Sequence, residues 1–342
     1  MKAIQVHEYG GPEVLKYEEV PDPTPGPGEL LVEVRAAGVN FADITSRIGR
    51  YRPALPWIPG NEAAGVVIGL GEGAEGFRIG DRVAWATPPA GLQIRYTNPG
   101  KAAKVRDTVA RTYAERAVVP ADRAVKIPDG LGFEEAAAVI LQGITAHYLA
   151  FAAYPIKPGD KVLIHAGAGG VGLLLTQLAK ECGATVYTTV SSEEKAALSR
   201  EAGADHVIIY TRENFAEVVD RLTDGTGVEA VYDSVGAMTF EGSFQSLKPR
   251  GYLIYYGMSS GPVPPFELSR LNIGSYYVTR PSFAHYTETR EELVSRAEGV
   301  FNRVVDGRLK VRIHGVYPLA QAAEAHRALE GRQVSGKVVL VP

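Results

Sequence analysis

Short apolar runs and amphipathic stretches alternate from Lys161 to Tyr256. The runs Lys161–His165, Thr185–Val190, His206–Tyr210, Val228–Ser234 and Tyr252–Tyr256 are rich in Val, Ile, Thr and Tyr and read as strands. Between them, Val171–Glu181, Glu193–Ala202, Phe215–Leu222 and Thr239–Leu247 repeat apolar positions three and four apart and read as helices. Repeated strand–helix units predict an α/β fold, a Rossmann doubly wound parallel sheet with helices on both faces. Tyr276–Thr279 supplies a last strand.

Upstream the pattern differs. Residues 2–9, 14–20, 29–37, 66–70, 82–86 and 113–119 read as short strands between glycine and proline turns, which predicts a partly open β-barrel. Residues 21–28 form a proline-rich connector. Residues 88–111 read as a long surface loop, a candidate flap. Phe133–Leu141 reads as a helix. After residue 280 the alternation stops: Glu291–Val305 and Leu319–Leu329 read as helices and Lys337–Val341 as a strand. That segment is expected to fold back onto the first domain and make it discontinuous.

Composition narrows this only slightly. The 342 residues suit about two domains. An apolar fraction of 45% supports a sizeable core, and a net charge of −3 asks for neither nucleic acid nor an anionic membrane as a bulk partner. The stretch Lys101–Arg111 is the one basic cluster that favours nucleic acid. One cysteine, Cys182, excludes an internal disulfide and a four-cysteine zinc lobe. No signal peptide opens at Met1–Val6 and no uninterrupted apolar run reaches membrane-spanning length. A soluble cytoplasmic protein is expected.

The strand Val162–Ile164 runs into Gly167-Ala168-Gly169-Gly170-Val171-Gly172, which satisfies G-x-G-x-x-G before a helix. In that reading Gly167 permits the tight turn, Gly169 admits a pyrophosphate to the backbone, and Gly172 lets the helix approach the strand. The helix start then offers amide donors and a positive dipole end to the phosphates. An NAD site would place a carboxylate at the end of the next strand. Ser191 stands there, followed by Lys195, which suits the 2′-phosphate of NADPH. Glu193 and Glu194 leave open that Lys195 is an ordinary solvated helix residue. Tyr210 ends the following strand, where it either contacts the adenosine end or is a plain strand-end tyrosine.

Several segments carry a family resemblance: Gly10-Gly11-Pro12-Glu13-Val14-Leu15, Ala37-Gly38-Val39-Asn40-Phe41-Ala42-Asp43, Pro59-Gly60-Asn61-Glu62, Gly80-Asp81-Arg82-Val83, Tyr232-Asp233-Ser234-Val235-Gly236 and Tyr277-Val278-Thr279-Arg280-Pro281-Ser282. Together they resemble the zinc-free quinone oxidoreductase (zeta-crystallin-like) branch of the medium-chain dehydrogenase/reductase superfamily. The resemblance implies a GroES-like catalytic domain, residues 1–127 with 281–342, and a Rossmann cofactor domain, residues 128–280. It implies a cofactor and substrate meeting between them, and a homodimer or homotetramer built by joining Rossmann sheets. Zinc members carry a ligand cysteine where Asn40 stands and a ligand histidine where Asn61 stands, so no zinc is expected.

The resemblance also implies site residues. Asn40 lies near the nicotinamide and the reacting carbonyl, able to donate to an oxygen and accept from a ribose hydroxyl. Tyr51 is a substrate-side tyrosine, and where Arg47 stands relatives often carry an aromatic residue. Gln142, Thr145, Ser234, Val235, Gly257, Met258 and Ser259 are cofactor contacts. Tyr277, Val278 and Thr279 are a wall of the nicotinamide pocket, and Arg332 and Lys337 are basic residues near the phosphates. The histidines show no paired spacing and read as satisfied or surface residues. The implied activity is NADPH-dependent quinone reduction. Two alternatives remain at this stage: reduction of the activated C=C bond of an enone or enal, and a non-catalytic nucleic-acid-binding or crystallin-like role.

Overall fold

The computed structural model describes residues 1–89 and 111–342. Most of the basic stretch and the expected flap therefore lie outside the described residues. The chain divides into two compact units, one formed by Met1–Ile144 with Phe283–Pro342, the other by Thr145–Ser282. The division falls within a helix rather than at residue 127, because the first part of that helix is tied to the amino-terminal strands.

The elements begin with β1 (Lys2–Gln5), β2 (Lys16–Glu19), β3 (Glu29–Val39), α1 (Phe41–Arg47), β4 (Glu62–Leu70), β5 (Arg82–Ala86), β6 (Arg116–Pro120), β7 (Ala124–Lys126) and α2 (Phe133–Tyr148). There follow β8 (Lys161–Ile164), α3 (Gly170–Glu181), β9 (Thr185–Val190), α4 (Glu193–Glu201), β10 (His206–Ile209), α5 (Phe215–Leu222), β11 (Val228–Asp233), α6 (Phe240–Gln245), β12 (Leu247–Tyr255) and β13 (Tyr277–Thr279). The chain ends with α7 (Arg290–Val305), β14 (Ile313–Pro318), α8 (Ala322–Glu330) and β15 (Lys337–Val341).

In the first unit the described strands form a sheet of order β14-β15-β3-β4-β5-β7, with β6 paired to β3. The long β3 alternates Leu30, Val32 and Val34 into a core shared with Trp57, Val67, Trp85, Val119 and Leu340. Gly65 on β4 allows the close crossing with β3, since a Cβ there would lie 2.1 Å from the Glu33 carbonyl oxygen. β15 pairs antiparallel with β3, so the carboxyl-terminal segment closes the amino-terminal sheet.

The second unit is a parallel sheet of order β10-β9-β8-β11-β12-β13. The order reverses at β8, which sets a crevice at the carboxyl ends of β8 and β11. Among the described residues one helical stretch, Phe133–Ala153, is long and apolar enough by composition alone to cross a membrane, although Glu134, Glu135, Gln142 and His147 interrupt its apolar run. Of its most apolar window 61% is buried within the protein, as in a core helix.

Candidate active site

The glycine-rich turn redistributes the expected roles. The positive torsion belongs to Ala166, at φ 54°, not to Gly167. Gly167 is required for proximity: a Cβ there would lie 2.6 Å from Thr188 Cβ and 2.8 Å from Ser199 Oγ. Gly172 faces the Ala166 carbonyl oxygen, 2.3 Å from where its Cβ would be, so α3 packs on the turn itself. Gly169 caps α3 in an extended conformation with nothing nearer to its Cβ position than 3.2 Å. That leaves the first-turn backbone of Gly170, Val171 and Gly172 as an approachable donor set, with Ala168 buried beneath.

A buried polar bridge lies below this turn. His165 is fully buried, its Nδ1 is 2.8 Å from Thr189 Oγ1, and its Nε2 is 3.0 Å from Ser243 Oγ. Ser243 Oγ donates to Asp233 Oδ2 at 3.0 Å. Asp233 Oδ1 accepts from the Val235 and Gly236 amides. Burial holds the imidazole below its ordinary pKa, so the ring is neutral. With the hydroxyl proton drawn to Asp233, Ser243 accepts from His165 Nε2–H and Thr189 donates to Nδ1. One hydrogen-bonded chain thus ties the ends of β8, β9 and β11. Sequence inspection placed His165 only among satisfied or surface histidines.

At the end of β9, Ser191 and Tyr210 come together: Tyr210 N donates to Val190 O, and Thr211 Oγ1 donates to Ser191 O at 3.1 Å. Lys195 lies in the first turn of α4, half-buried. The two acids that clouded this corner have their own partners. Glu193 pairs with Arg212 at 2.5 Å and with Arg200 at 3.9 Å. A hydrogen bond from Ser192 holds the Glu194 carboxyl below its ordinary range. Arg212 went unnoticed in the sequence because no spacing rule points to it.

Ser234 and Val235 meet Gly257, Met258 and Ser259 at the ends of β11 and β12. Ser259 N donates to Ser234 O at 3.2 Å, and a Cβ on Gly257 would lie 2.7 Å from Ser234 O. Tyr277, Val278 and Thr279, expected as a wall of the nicotinamide pocket, lie on β13. These residues form the sheet's edge strand, with Tyr277 51% and Val278 42% exposed. Tyr277 stacks on Tyr252 with ring centroids 4.4 Å apart, at the amino ends of the strands and away from the crevice. Of the three, Thr279 alone stands at the carboxyl end.

In the first unit Asn40 is the centre of a buried cluster. It occupies the N-cap position of α1, and its backbone N–H donates to Asp43 Oδ2 at 2.8 Å. Its Nδ2 donates to Glu62 Oε1 at 2.7 Å, while its Oδ1 accepts from Lys337 Nζ at 2.8 Å and Gln142 Nε2 at 3.4 Å. Lys337 Nζ also pairs with Glu62 Oε1. Glu62 Oε2 accepts from the Leu141 amide at 2.9 Å, which fastens α2 to β4. Asp43 further accepts from Asn61 Nδ2 at 2.5 Å and Tyr113 OH at 3.2 Å. Burial pushes its carboxyl up to about 7, with Glu62 adding to the rise.

One expectation changes here. Lys337 is 2% exposed and its charge is met by Glu62, an environment that leaves it no access to a phosphate. Asn40 Oδ1 already holds two donors, Lys337 at 2.8 Å and Gln142 at 3.4 Å. The neighbouring Gln142 Oε1, by contrast, is buried without a hydrogen-bond partner. Thr145 follows Gln142 by one helical turn and is half-buried, as is Tyr51 in the bend after α1. Arg332 is exposed in the turn before β15 with φ 56°. Arg47 is buried and donates to Gly10 O, His326 Nδ1 and Glu330 Oε1, joining α1 to α8. The structural cluster of Glu62, Asp43 and Lys337 escaped sequence reasoning because its members are far apart in the chain.

Residues 26–129 match the alcohol dehydrogenase GroES-like domain, and residues 170–298 match the zinc-binding dehydrogenase domain. A quinone oxidoreductase of Pseudomonas aeruginosa is 42% identical over 343 residues, covering 100% of this chain and 99% of that protein. The chain belongs to the quinone oxidoreductase family of the medium-chain dehydrogenase/reductase superfamily. The solved Escherichia coli quinone oxidoreductase complexed with NADPH superposes with a TM-score of 0.91 at 39% identity, over 100% of each chain. A 2-haloacrylate reductase of a Burkholderia species is 38% identical over 348 residues, covering 99% of this chain and 98% of that protein. This family member is therefore an oxidoreductase with the two-unit build expected of its superfamily.

Proposed function

We propose that the protein is a zinc-independent NADPH:quinone oxidoreductase. The observation that carries the chemistry is Asn40, an amide buried among ionic partners with one N–H left over for a substrate oxygen. NADPH, when bound, would supply the hydride, and solvent would supply the one proton that completes the hydroquinone. The residues present fit that cofactor. The open backbone at Gly169–Gly172 suits a pyrophosphate, and the orphaned Gln142 Oε1 suits a hydroxyl donor.

Ser191 and Lys195 are the proposed readers of the 2′-phosphate, with Tyr210 beside the adenosine. Ser234, Val235, Gly257, Met258 and Ser259 line the crevice toward the nicotinamide. Thr145 and Tyr51 complete the contacts, Tyr51 toward the acceptor. Zinc independence rests on amides at positions 40 and 61, both engaged by carboxylates, and on the Lys337 ammonium already paired with Glu62. We also propose a cytoplasmic homodimer joined at β13, the exposed edge of the parallel sheet.

The Burkholderia relative favours a second reading, reduction of an activated C=C bond. A panel of quinones and enones with NADPH and NADH separates the two. Quinone turnover with NADPH supports the first reading, and enone turnover without quinone turnover overturns it. Lys195→Ala is expected to raise the NADPH KM about tenfold while leaving NADH unchanged, the loss of one charged phosphate contact. Unaltered discrimination would remove Lys195 from the phosphate site.

A further inference from the structure

The Asn40 amide is locked in one orientation. Its Oδ1 faces the Lys337 ammonium at 2.8 Å and Gln142 Nε2 at 3.4 Å, and its Nδ2 faces the Glu62 carboxylate at 2.7 Å. Turning the amide over would set NH2 against an ammonium and a carbonyl oxygen against a carboxylate. Both contacts would be repulsive, in a site where Glu62 is fully buried and Lys337 nearly so.

We propose that Lys337 and Glu62 are positioning residues that hold Asn40 as an obligate hydrogen-bond donor to the oxygen of the bound acceptor. The donor count supports this. Asn40 has two N–H groups and two oxygen lone pairs. Glu62 takes one N–H, and Lys337 and Gln142 take both lone pairs. The amide therefore offers a single N–H, fit for an oxygen that gains negative charge as hydride arrives. The backbone helps hold it: Asn40 N–H donates to Asp43, and Leu141 N–H anchors the far oxygen of Glu62. Gly38 makes the cluster possible, since a Cβ there would lie 2.4 Å from Glu62 Oε1 and 2.6 Å from Lys337 Cε. The specificity that follows is for acceptors whose developing charge rests on an oxygen, such as quinones and α,β-unsaturated carbonyls.

The inference rests on the oxidoreductase reading but is tested apart from it. Lys337→Met combined with Glu62→Gln removes both charges together, so no lone ion is left buried. With NADPH and 1,4-naphthoquinone, kcat of the folded double variant is expected to fall about tenfold or more, while the NADPH Kd from fluorescence titration stays within about twofold. Side-chain amide resonances of 15N-labelled protein give a readout free of turnover. The Asn40 pair, assigned by its loss in Asn40→Asp, should show one strongly downfield proton that moves back in Glu62→Gln. The near-isosteric single variant keeps this arm available if the double variant does not fold. An unchanged kcat in the folded double variant overturns the proposal, as does an Asn40 pair unaltered by Glu62→Gln. If the wild-type protein reduces neither naphthoquinone nor 2-cyclohexenone, the acceptor reading falls, and the resonances alone decide whether the lock exists.

Discussion

Asp43 shows how tertiary burial turns an ordinary helix-start acid into a group that titrates near neutrality. Burial pushes its carboxyl from 3.8 up to about 7, the Glu62 carboxylate adds to the rise, and the Asn40 amide, Lys337 and Tyr113 work against it. In the unfolded chain the same group releases its proton near its ordinary value. Between those two pH values the folded form alone keeps the proton. The stabilisation from the protonated group is therefore complete below about pH 4 and is lost as pH rises through about 7. Urea unfolding of Asp43→Asn should show a shallower fall in stability over that window than wild type. Parallel curves would show that Asp43 does not titrate there. His326 moves the other way: burial and then the Arg47 charge push it down to about 3. It stays neutral, accepting from Arg47 Nη1 and donating to Tyr113 OH, which in turn donates to Asp43. None of this is visible in the spacing of the residues. Asn40 was legible because it stands inside a family motif, whereas Lys337 was assigned to phosphate by resemblance alone, since nothing in its neighbours along the chain points to Glu62.

At the scale of elements, the β8–α3 unit was readable because its signal is local. A β-branched run, three spaced glycines and an apolar helix follow one another within a short stretch. What the pattern did not reveal is which glycine answers to which neighbour. Gly172→Ala places a methyl 2.3 Å from the Ala166 carbonyl oxygen and forces the helix away from the turn. The variant is expected to lose about 1–3 kcal/mol of stability, seen as a lower Tm, and to bind NADPH more weakly. Wild-type Tm and affinity together would show that the turn relaxes freely. The helix α1 escaped notice because Phe-Ala-Asp-Ile-Thr-Ser-Arg is short and poor in strong helix formers. Its stability comes from buried Asp43, bonded to Asn61 just before β4 and to Tyr113, and from buried Arg47, bonded to Gly10 and to His326 and Glu330 on α8. β14 was missed because His314, Gly315 and Pro318 blur a real alternation of half-buried and exposed positions. It forms by parallel pairing with β15.

For the whole molecule, the parallel sheet leaves β13 as an edge with Tyr277 and Val278 exposed, near Leu268 at 77% and Ile273 at 82% exposure. Such an edge invites a second copy to continue the sheet. Light scattering should give twice the 36.6 kDa chain mass, and Val278→Asp should give the single mass by placing a charge on the edge. A wild-type monomer would remove the proposed assembly. The sequence by itself determined the two architectures, the return of the last segment to the first unit, and the glycine-rich turn before α3. Each of these is written in periodicity or in a contiguous motif, which neighbouring residues carry. Only the tertiary structure decided that Asn40 keeps a single free donor, that Lys337 serves Glu62, and that Tyr277 belongs to an edge. Those facts depend on residues distant along the chain meeting in a low-dielectric interior, where unpaired charge is costly and partners are chosen by proximity.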